Sequence, residues 1–366
     1  MKIAIIADPI DNQNAGVHSY TRQLVEALIQ YDQEHEYILI REKHDPNLTG
    51  VTQLVVPNTR LPIGFASFRL FVLVPFLLWR HKVDVVFEPA HFGPFNLPRK
   101  IKRVTMIHDL TPLLFPQYHR WHSQVLQRIF LKGILRRTDL VLSNSQNTTR
   151  DLHEVFPFTK DKVATILLGR DPFYQPANSR EFLEKKEIID PYFLFVGTIE
   201  PRKDLKTLLA AYQLFREENT EKVLLILVGG LGWKSEDFAE KLEAHPYRAD
   251  IIRPGYVEQQ YLPELYTYSK ALIYPSEYEG FGLPVLEALA CGTNVICTDN
   301  SSLSEVGGEL AYYFPTHDVS GLKKQMQFVF AGSEEVKRSR EAGPKWAATF
   351  SWKEYVSSFL KAVEKL

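Results

Sequence analysis

Cysteine is scarce in this sequence. Its 366 residues include only Cys291 and Cys297, within one short stretch. No CxxC pair or Cys/His cluster with zinc spacing occurs, which excludes a disulfide framework and a structural zinc site. Reduced, structural thiols in a cytosolic protein are the expectation. Long apolar runs are also missing. The most apolar stretch, Leu70–Trp79, is about half the length that spans a bilayer. Met1-Lys2 leads directly into a strand-like run with no signal-peptide pattern. The expected location is therefore cytoplasmic. Neither sign of charge predominates: 43 Lys and Arg face 44 Asp and Glu. That balance argues against bulk nucleic-acid binding. A G-x-G-x-x-G fingerprint is absent, which disfavours a dinucleotide oxidoreductase. No D-x-D or other metal-ligand cluster stands out, so no metal and no separate cofactor is expected. Internal repeats and low-complexity segments are absent too.

The neutral total conceals an asymmetry. Residues 1–170 carry 21 basic and 15 acidic residues, and the remainder carries 22 and 29. Different partners for the two halves are expected. Apolar β-rich runs recur at Lys2–Ala7, Tyr37–Ile40, Val83–Phe87, Arg103–Ile107 and Leu140–Leu142. Longer periodic segments, Val17–Tyr31, Phe65–Arg80 and Tyr118–Arg137, lie between them. Leu168–Asp190, with Pro172 and Pro176, reads as a linker. A second series follows: Phe193–Val196, Leu224–Val228, Ile251–Ile252, Ala271–Tyr274, Asn294–Cys297 and Ala311–Phe314. Alternation of this kind predicts α/β architecture with two doubly wound, Rossmann-like domains, 1–170 and 171–351. Residues 352–366 read as an amphipathic helix able to cross back to the first domain. If both sheets turn their carboxyl edges inward, ligands bind in a cleft between them.

Four motifs sit at expected carboxyl ends of strands. In Ser276–Glu287, Glu279 and Glu287 flank Gly280, Phe281 and Gly282, whose glycines permit a tight turn. Pro284 suits a first helical turn, where free N–H groups can bind hydroxyls or phosphate. Glu200-Pro201-Arg202-Lys203-Asp204 places two cations where a diphosphate would find charge and donors. Ile107-His108-Asp109-Leu110 offers an imidazole able to bond a hydroxyl or position a reactant. Asn14–Tyr20 contributes Gly16 at a helix start. Taken singly, each has a structural alternative: a dipole-stabilising Glu, a solvated basic pair, a packed His, an ordinary helix start.

Taken together, these residues resemble the retaining GT-B glycosyltransferases of family 4. S-E-Y-E-G-F-G-L-P-V-L-E is similar to that family's E-x7-E signature. The resemblance implies two facing domains, an N-terminal acceptor side and a C-terminal sugar-nucleotide side. It implies that Glu279 lies by the donor sugar and Glu287 binds the ribose hydroxyls. Arg202 and Lys203 would hold the diphosphate, His108 would meet the donor sugar or acceptor, and Gly16 would line the donor loop. The turns at Gly229-Gly230 and Gly255-Tyr256-Val257 would offer groups to the base. Departures are Ala15 for a glycine, Thr198 for an arginine, Asp204 for an asparagine, and Asn294 and Ser304 for prolines. The implied chemistry is metal-independent hexosyl transfer with retention, in which the leaving phosphate takes the acceptor's proton. E-G-F-G-L-P, I-H-D-L and F-P-x-x-H lean toward GDP-mannose, with other sugar nucleotides such as UDP-sugars remaining, and toward a glycan or lipid-linked acceptor in surface-polysaccharide assembly. Two alternatives share these contacts: a sugar-nucleotide 2-epimerase of the same fold, and a non-catalytic nucleotide-sugar-binding subunit. Finally, Arg80–Arg137 holds 11 Lys and Arg against Asp84, Glu88 and Asp109. Val125, Leu126, Ile129 and Phe130 interleave with the last of these cations, a pattern expected of a peripheral contact with an anionic membrane.

Overall fold

The computed structural model of the chain describes every residue except 13–14, 58–67, 95, 120–123, 126 and 234. It divides into two compact units: Met1–Gly169 with Ser351–Leu366, and Arg170–Phe350. Each unit is a doubly wound parallel sheet.

The first sheet has the order β3-β2-β1-β4-β5-β6-β7. Its strands are β1 (Lys2–Ile6), β2 (Glu36–Arg41), β3 (Thr52–Val55), β4 (Val85–Glu88), β5 (Lys102–Ile107), β6 (Leu140–Ser143) and β7 (Val163–Thr165). The apolar runs became the central strands because both their faces are covered by helices. The two strands that the sequence pattern does not announce, β3 and β7, are the sheet's edges. They are short and half-exposed, so neither needs an apolar run. Two periodic segments are less regular than single helices. A π-helical run at Arg69–Leu73 precedes the helix Val74–Arg80, and residues 65–67 lie outside the described ones. The Arg69 side chain is buried there, donating to both Asp8 carboxylate oxygens at 2.6 Å and to the Val56 carbonyl. Tyr118–Arg137 resolves into a 3-10 turn ending at Tyr118, a π run at Gln127–Leu131 and a helix at Lys132–Arg137. Leu126 lies outside the described residues.

The final helix, Trp352–Val363, packs on the helix Ala15–Tyr31. Ser351 caps it by accepting from the Glu354 amide. Its buried face carries Trp352, Tyr355 and Phe359. Tyr355 bonds the Tyr20 hydroxyl at 2.6 Å, and Phe359 meets Phe87 of β4.

The second sheet has the order β10-β9-β8-β11-β12-β13. Its strands are β8 (Tyr192–Val196), β9 (Leu224–Val228), β10 (Ile251–Gly255), β11 (Ala271–Tyr274), β12 (Val295–Thr298) and β13 (Ala311–Phe314). Leu168–Asp190 is not a solvated linker. From Arg170 on it belongs to the second unit, burying Tyr174, Phe182, Leu183 and Ile188 around a short helix, Glu181–Lys185. Its prolines and charges mask those apolar anchors. Among the described residues, no helix is long and apolar enough to cross a membrane.

Candidate active site

In an open α/β sheet the strand order reverses at one point, and the loops leaving the two strands there diverge to opposite faces. In the second unit the reversal falls between β8 and β11. The sequence places its two strongest motifs on those two strands.

The chain leaving β8 makes a 3-10 turn at Pro201–Lys203 and enters the helix Leu205–Glu218. Asp204 joins them at φ 44°, a left-handed conformation that Asp and Asn tolerate, and caps the helix by accepting from the Thr207 amide. The family's asparagine can therefore be an aspartate here without loss of the turn. The chain leaving β11 folds over at Ser276–Gly282 into the helix Leu283–Ala290. Gly282 has φ 103°, and a Cβ there would lie 2.7 Å from the Leu303 side chain. A residue with a side chain would be strained on both counts.

These two loops bring Glu279, Arg202 and Lys203 into one cluster. The Glu279 carboxylate lies 3.0 Å from the Arg202 guanidinium and accepts from the Lys203 ammonium and the Ser276 hydroxyl. Lys203 also donates to Tyr274, and its ammonium lies 4.6 Å from that ring's centroid. Arg202 bonds Glu200 at 2.7 Å and the Tyr278 carbonyl. Ser301 accepts from the Glu279 amide, and Ser302 donates to its carbonyl. Lys203 and Glu279 are both more than nine-tenths buried. Burial alone would raise the Glu279 pKa, but Arg202 and Lys203 overcome it and hold the carboxyl at about 2. Burial lowers the Lys203 pKa, opposed mainly by Glu279. The cations are thus not a solvated pair; they and the first glutamate form one electrostatic unit.

Glu287 bonds a different set of partners. It sits in the second turn of the helix Leu283–Ala290, where the Tyr266 hydroxyl donates to it at 2.8 Å. Burial pushes its pKa up to about 7, with Asp171 adding repulsion and Tyr266 and Tyr174 opposing. Phe281 turns inward against Phe350, so its ring serves packing, and Gly280 is buried in the turn. Gly229 follows β9 at φ 135°, where a Cβ would fall 2.0 Å from the Gly197 carbonyl oxygen, so only glycine fits. Beyond β10, Tyr256 is 82% exposed whereas Val257 is buried. Gly16 lies exposed in the first turn of Ala15–Tyr31; Asn14 falls outside the described residues.

His108 follows β5 in the first unit. Its Nε2 lies 2.8 Å from the Pro89 carbonyl, which fixes the Nε2–H tautomer and leaves Nδ1 as the acceptor. Its backbone amide donates to His91 Nε2 at 3.3 Å. Tyr20 meets the ring edge-on at 4.8 Å, itself held by Tyr355. Burial, then the neighbouring His91, pushes the His108 pKa down to about 4. The adjacent Asp109 accepts from the Thr111 amide and hydroxyl at the start of the short helix Thr111–Leu114.

The fold also assembles what the sequence spacing did not show. Asp204, Glu277 and His317 bring one ligand-type atom each within 4.8 Å of one another. His317 Nδ1 already bonds Asp204 at 2.9 Å, an ion-pair arrangement. Ser276, Ser301, Tyr266 and Tyr274 were likewise missed; three are hydroxyl residues at or just beyond strand ends and Tyr266 lies in the helix Leu262–Tyr268, and none gave a signal of its own.

An α/β unit with a buried cation–carboxylate cluster at its strand-order reversal is what this geometry defines. Residues 178–346 match the family model described as glycosyl transferases group 1, and residues 15–172 match that described as glycosyltransferase family 4. The chain belongs to this glycosyltransferase family and has its GT-B fold. It is 29% identical to the O-antigen chain mannosyltransferase B of Escherichia coli, with 100% of both chains covered. It is 30% identical to the serotype-specific mannosyltransferase WbdA of Escherichia coli over 70% of this chain and 33% of that one. Among solved structures, sucrose-phosphate synthase from Thermosynechococcus elongatus superposes with a TM-score of 0.77 at 20% identity, covering 100% of this chain and 98% of that one.

Proposed function

We propose that the protein transfers a hexose with retention from a sugar nucleotide, GDP-mannose first among candidates, to a glycan or lipid-linked acceptor in surface-polysaccharide assembly. The observation that carries this is the buried Glu279 carboxylate held between Arg202 and Lys203 where β8 and β11 diverge. Full-length similarity to an O-antigen chain mannosyltransferase supports mannose as the transferred sugar and a surface-polysaccharide acceptor.

In this reading Arg202 and Lys203 neutralise the leaving diphosphate, and Glu279 keeps them charged and aimed. The bond from the sugar's anomeric carbon to the phosphate oxygen breaks. A bond to the acceptor oxygen forms on the same face, and the acceptor's proton passes to the leaving phosphate. Glu287 accepts from the ribose hydroxyls, and His108 bonds a hydroxyl of the sugar or acceptor through Nδ1. No metal takes part, so turnover in EDTA should equal turnover without it. Loss restored by magnesium or manganese would assign a cation to Asp204, Glu277 and His317 instead. Turnover should require an acceptor; conversion of donor alone would mean an epimerase, and binding without turnover a non-catalytic subunit.

Glu287 supplies the sharpest test of the nucleotide site. Glu287→Ala should lower nucleotide affinity by about 1–3 kcal/mol, the value of a charged hydrogen bond. Because Glu287 ionises only near pH 7 in the free protein, ribose binding to the carboxylate releases a proton below that pH. Affinity should therefore rise as pH approaches 7, by at most about tenfold per unit, and then level off. Calorimetric titration checks both; unchanged affinity in a folded variant rejects the ribose role.

The lipid-linked acceptor draws support from one face of the first sheet. Val74 and Leu78 of Val74–Arg80 pack over Ala4, Ile38 and Val86, and Leu131 and Leu135 pack over Ile107 and Val141. The strand register puts these residues on the same side of the sheet. The outer surfaces of those two segments expose Phe68, Val72, Phe76 and Trp79, and Val125, Ile129 and Phe130. Arg80, Arg128, Lys132, Arg136 and Arg137 belong to the same segments. Apolar and cationic groups so mixed suit a peripheral site on the inner, anionic leaflet, where each cation contributes about 1 kcal/mol. The protein should sediment with anionic vesicles at low salt, and Trp79→Ser with Ile129→Ser should abolish this. Failure of the wild type to bind at low salt would leave a soluble acceptor.

A further inference from the structure

We infer that Glu88 is a positioning residue for His108, fixing the direction and tautomer of its imidazole through the turn that follows β4. The inference rests on the reading that His108 serves the reaction.

β4 and β1 mark the strand-order reversal of the first sheet, and Glu88 is the last residue of β4. Its Oε1 accepts from the Ala90 amide at 2.9 Å. That amide and the Pro89 carbonyl belong to a single peptide unit, which is planar and rigid. The Pro89 carbonyl accepts from His108 Nε2 at 2.8 Å. One peptide plane therefore has its N–H on Glu88 and its C=O on His108. Rotating the plane breaks both bonds together, so Glu88 determines where the acceptor for Nε2–H points. Bonds in series of this kind also polarise and strengthen one another. His91, at φ 73° in the same turn, places its Nε2 3.3 Å from both the His108 amide and the Asp109 carbonyl.

Among the described residues, the second carboxyl oxygen has no hydrogen-bond partner. Oε2 is buried beside Gly93, whose position a Cβ would bring to 2.7 Å from it. A water-sized cavity of about 10 Å³ adjoins it, lined also by Pro94, Arg103, Thr105 and Thr138. The charged groups nearby are committed elsewhere: Arg103 of β5 donates to the Leu97 carbonyl, and Asp8 beyond β1 is paired with Arg69. A carboxylate there would hold an uncompensated charge, so the group stays protonated. Burial, reinforced by Asp8, pushes its pKa up to about 8 against the Ala90 hydrogen bond. The neutral form exists below that pH and is lost as pH rises through it.

Imidazole nitrogen-15 spectra of the ligand-free full chain test this without any substrate, with His108 assigned from its His108→Asn variant. Wild type and Glu88→Gln should show the Nε2–H tautomer at pH 7, since glutamine keeps the carbonyl acceptor. Glu88→Ala should show mixed tautomers, with kcat reduced about tenfold at unchanged KM for the sugar nucleotide. As Glu88 ionises above pH 8, its stronger bond to the Ala90 amide should strengthen the Nε2–H bond to Pro89 and shift the His108 Nε2 resonance, while Glu88→Gln should show no such shift, a comparison that stands even if Glu88→Ala does not fold. A pure Nε2–H tautomer in folded Glu88→Ala, or identical pH behaviour of wild type and Glu88→Gln, overturns the inference. An altered tautomer in a protein without transferase activity would sustain it and sink the role of His108.

Discussion

Lys203→Ala is expected to weaken nucleoside diphosphate binding by about two orders of magnitude while changing nucleoside binding little, and to destabilise the second unit. Lys203 is buried, and its ammonium touches both Glu279 and Tyr274. Removing one partner of a buried pair leaves the other charged in a low-dielectric site, at a cost of about 3–5 kcal/mol. Glu279 would keep Arg202 at 3.0 Å and Ser276, so part of that cost is recovered as its pKa climbs from about 2. Two consequences separate this from simple loss of charge. In the wild type the carboxyl held at about 2 stabilises the fold above the ordinary carboxylate range, and that stabilisation is lost as pH falls toward 2. In the variant this acid-side loss should shrink, because the Glu279 pKa has moved back toward its unfolded value. The double variant Lys203→Ala/Glu279→Ala should be more stable than Lys203→Ala alone, because the orphaned carboxylate is gone. Calorimetry with nucleoside and nucleoside diphosphate, alongside thermal melts of the three variants, measures all of this. Equal losses for the two ligands would mean that the ammonium does not meet the diphosphate.

What could be read from the chain beforehand follows from how local each signal is. Leu224–Val228 and Ala271–Tyr274 are uninterrupted apolar runs, and they are strands β9 and β11 with those bounds. A central parallel strand announces itself because both faces are buried. Thr52–Val55 does not, since an edge strand half in water needs no such run. The turn at Gly282 was legible because a tight strand-to-helix turn demands glycine wherever it occurs. The contact between Lys203 and Glu279 was not, because 76 residues separate them and only the strand order 8-11 makes them neighbours. The same holds for Asp204, Glu277 and His317, which come from three different loops. Charge state was the least visible property. In V-F-E-P-A, Glu88 looks like a surface acid, yet it is buried and neutral because Gly93 and Pro94 close over it. Leu168–Asp190 misleads in the opposite sense: two prolines and many charges surround its buried apolar anchors.

His108→Ala should reduce turnover by about 10²–10³-fold while leaving nucleotide affinity within a few-fold, since one well-placed hydrogen-bonding group contributes on that scale. The structure narrows what the imidazole can do. With a pKa of about 4 it is neutral throughout the physiological range, and Nε2–H is engaged by Pro89. A cationic acid is therefore the wrong description; Nδ1 is a fixed, neutral acceptor. Turnover should consequently show no His108 inflection between pH 6 and 8, and protonation should matter only as pH falls toward 4. His108→Gln, whose carbonyl can accept, should recover more activity than His108→Lys, which offers only donors. Tyr20→Ala, which removes the ring packed edge-on at 4.8 Å, should lower turnover less than His108→Ala and in the same sense. Steady-state kinetics with saturating acceptor, paired with nucleotide calorimetry, separates turnover from affinity. If the two fall together in His108→Ala, the residue belongs to nucleotide binding and the proposed contact with sugar or acceptor is wrong.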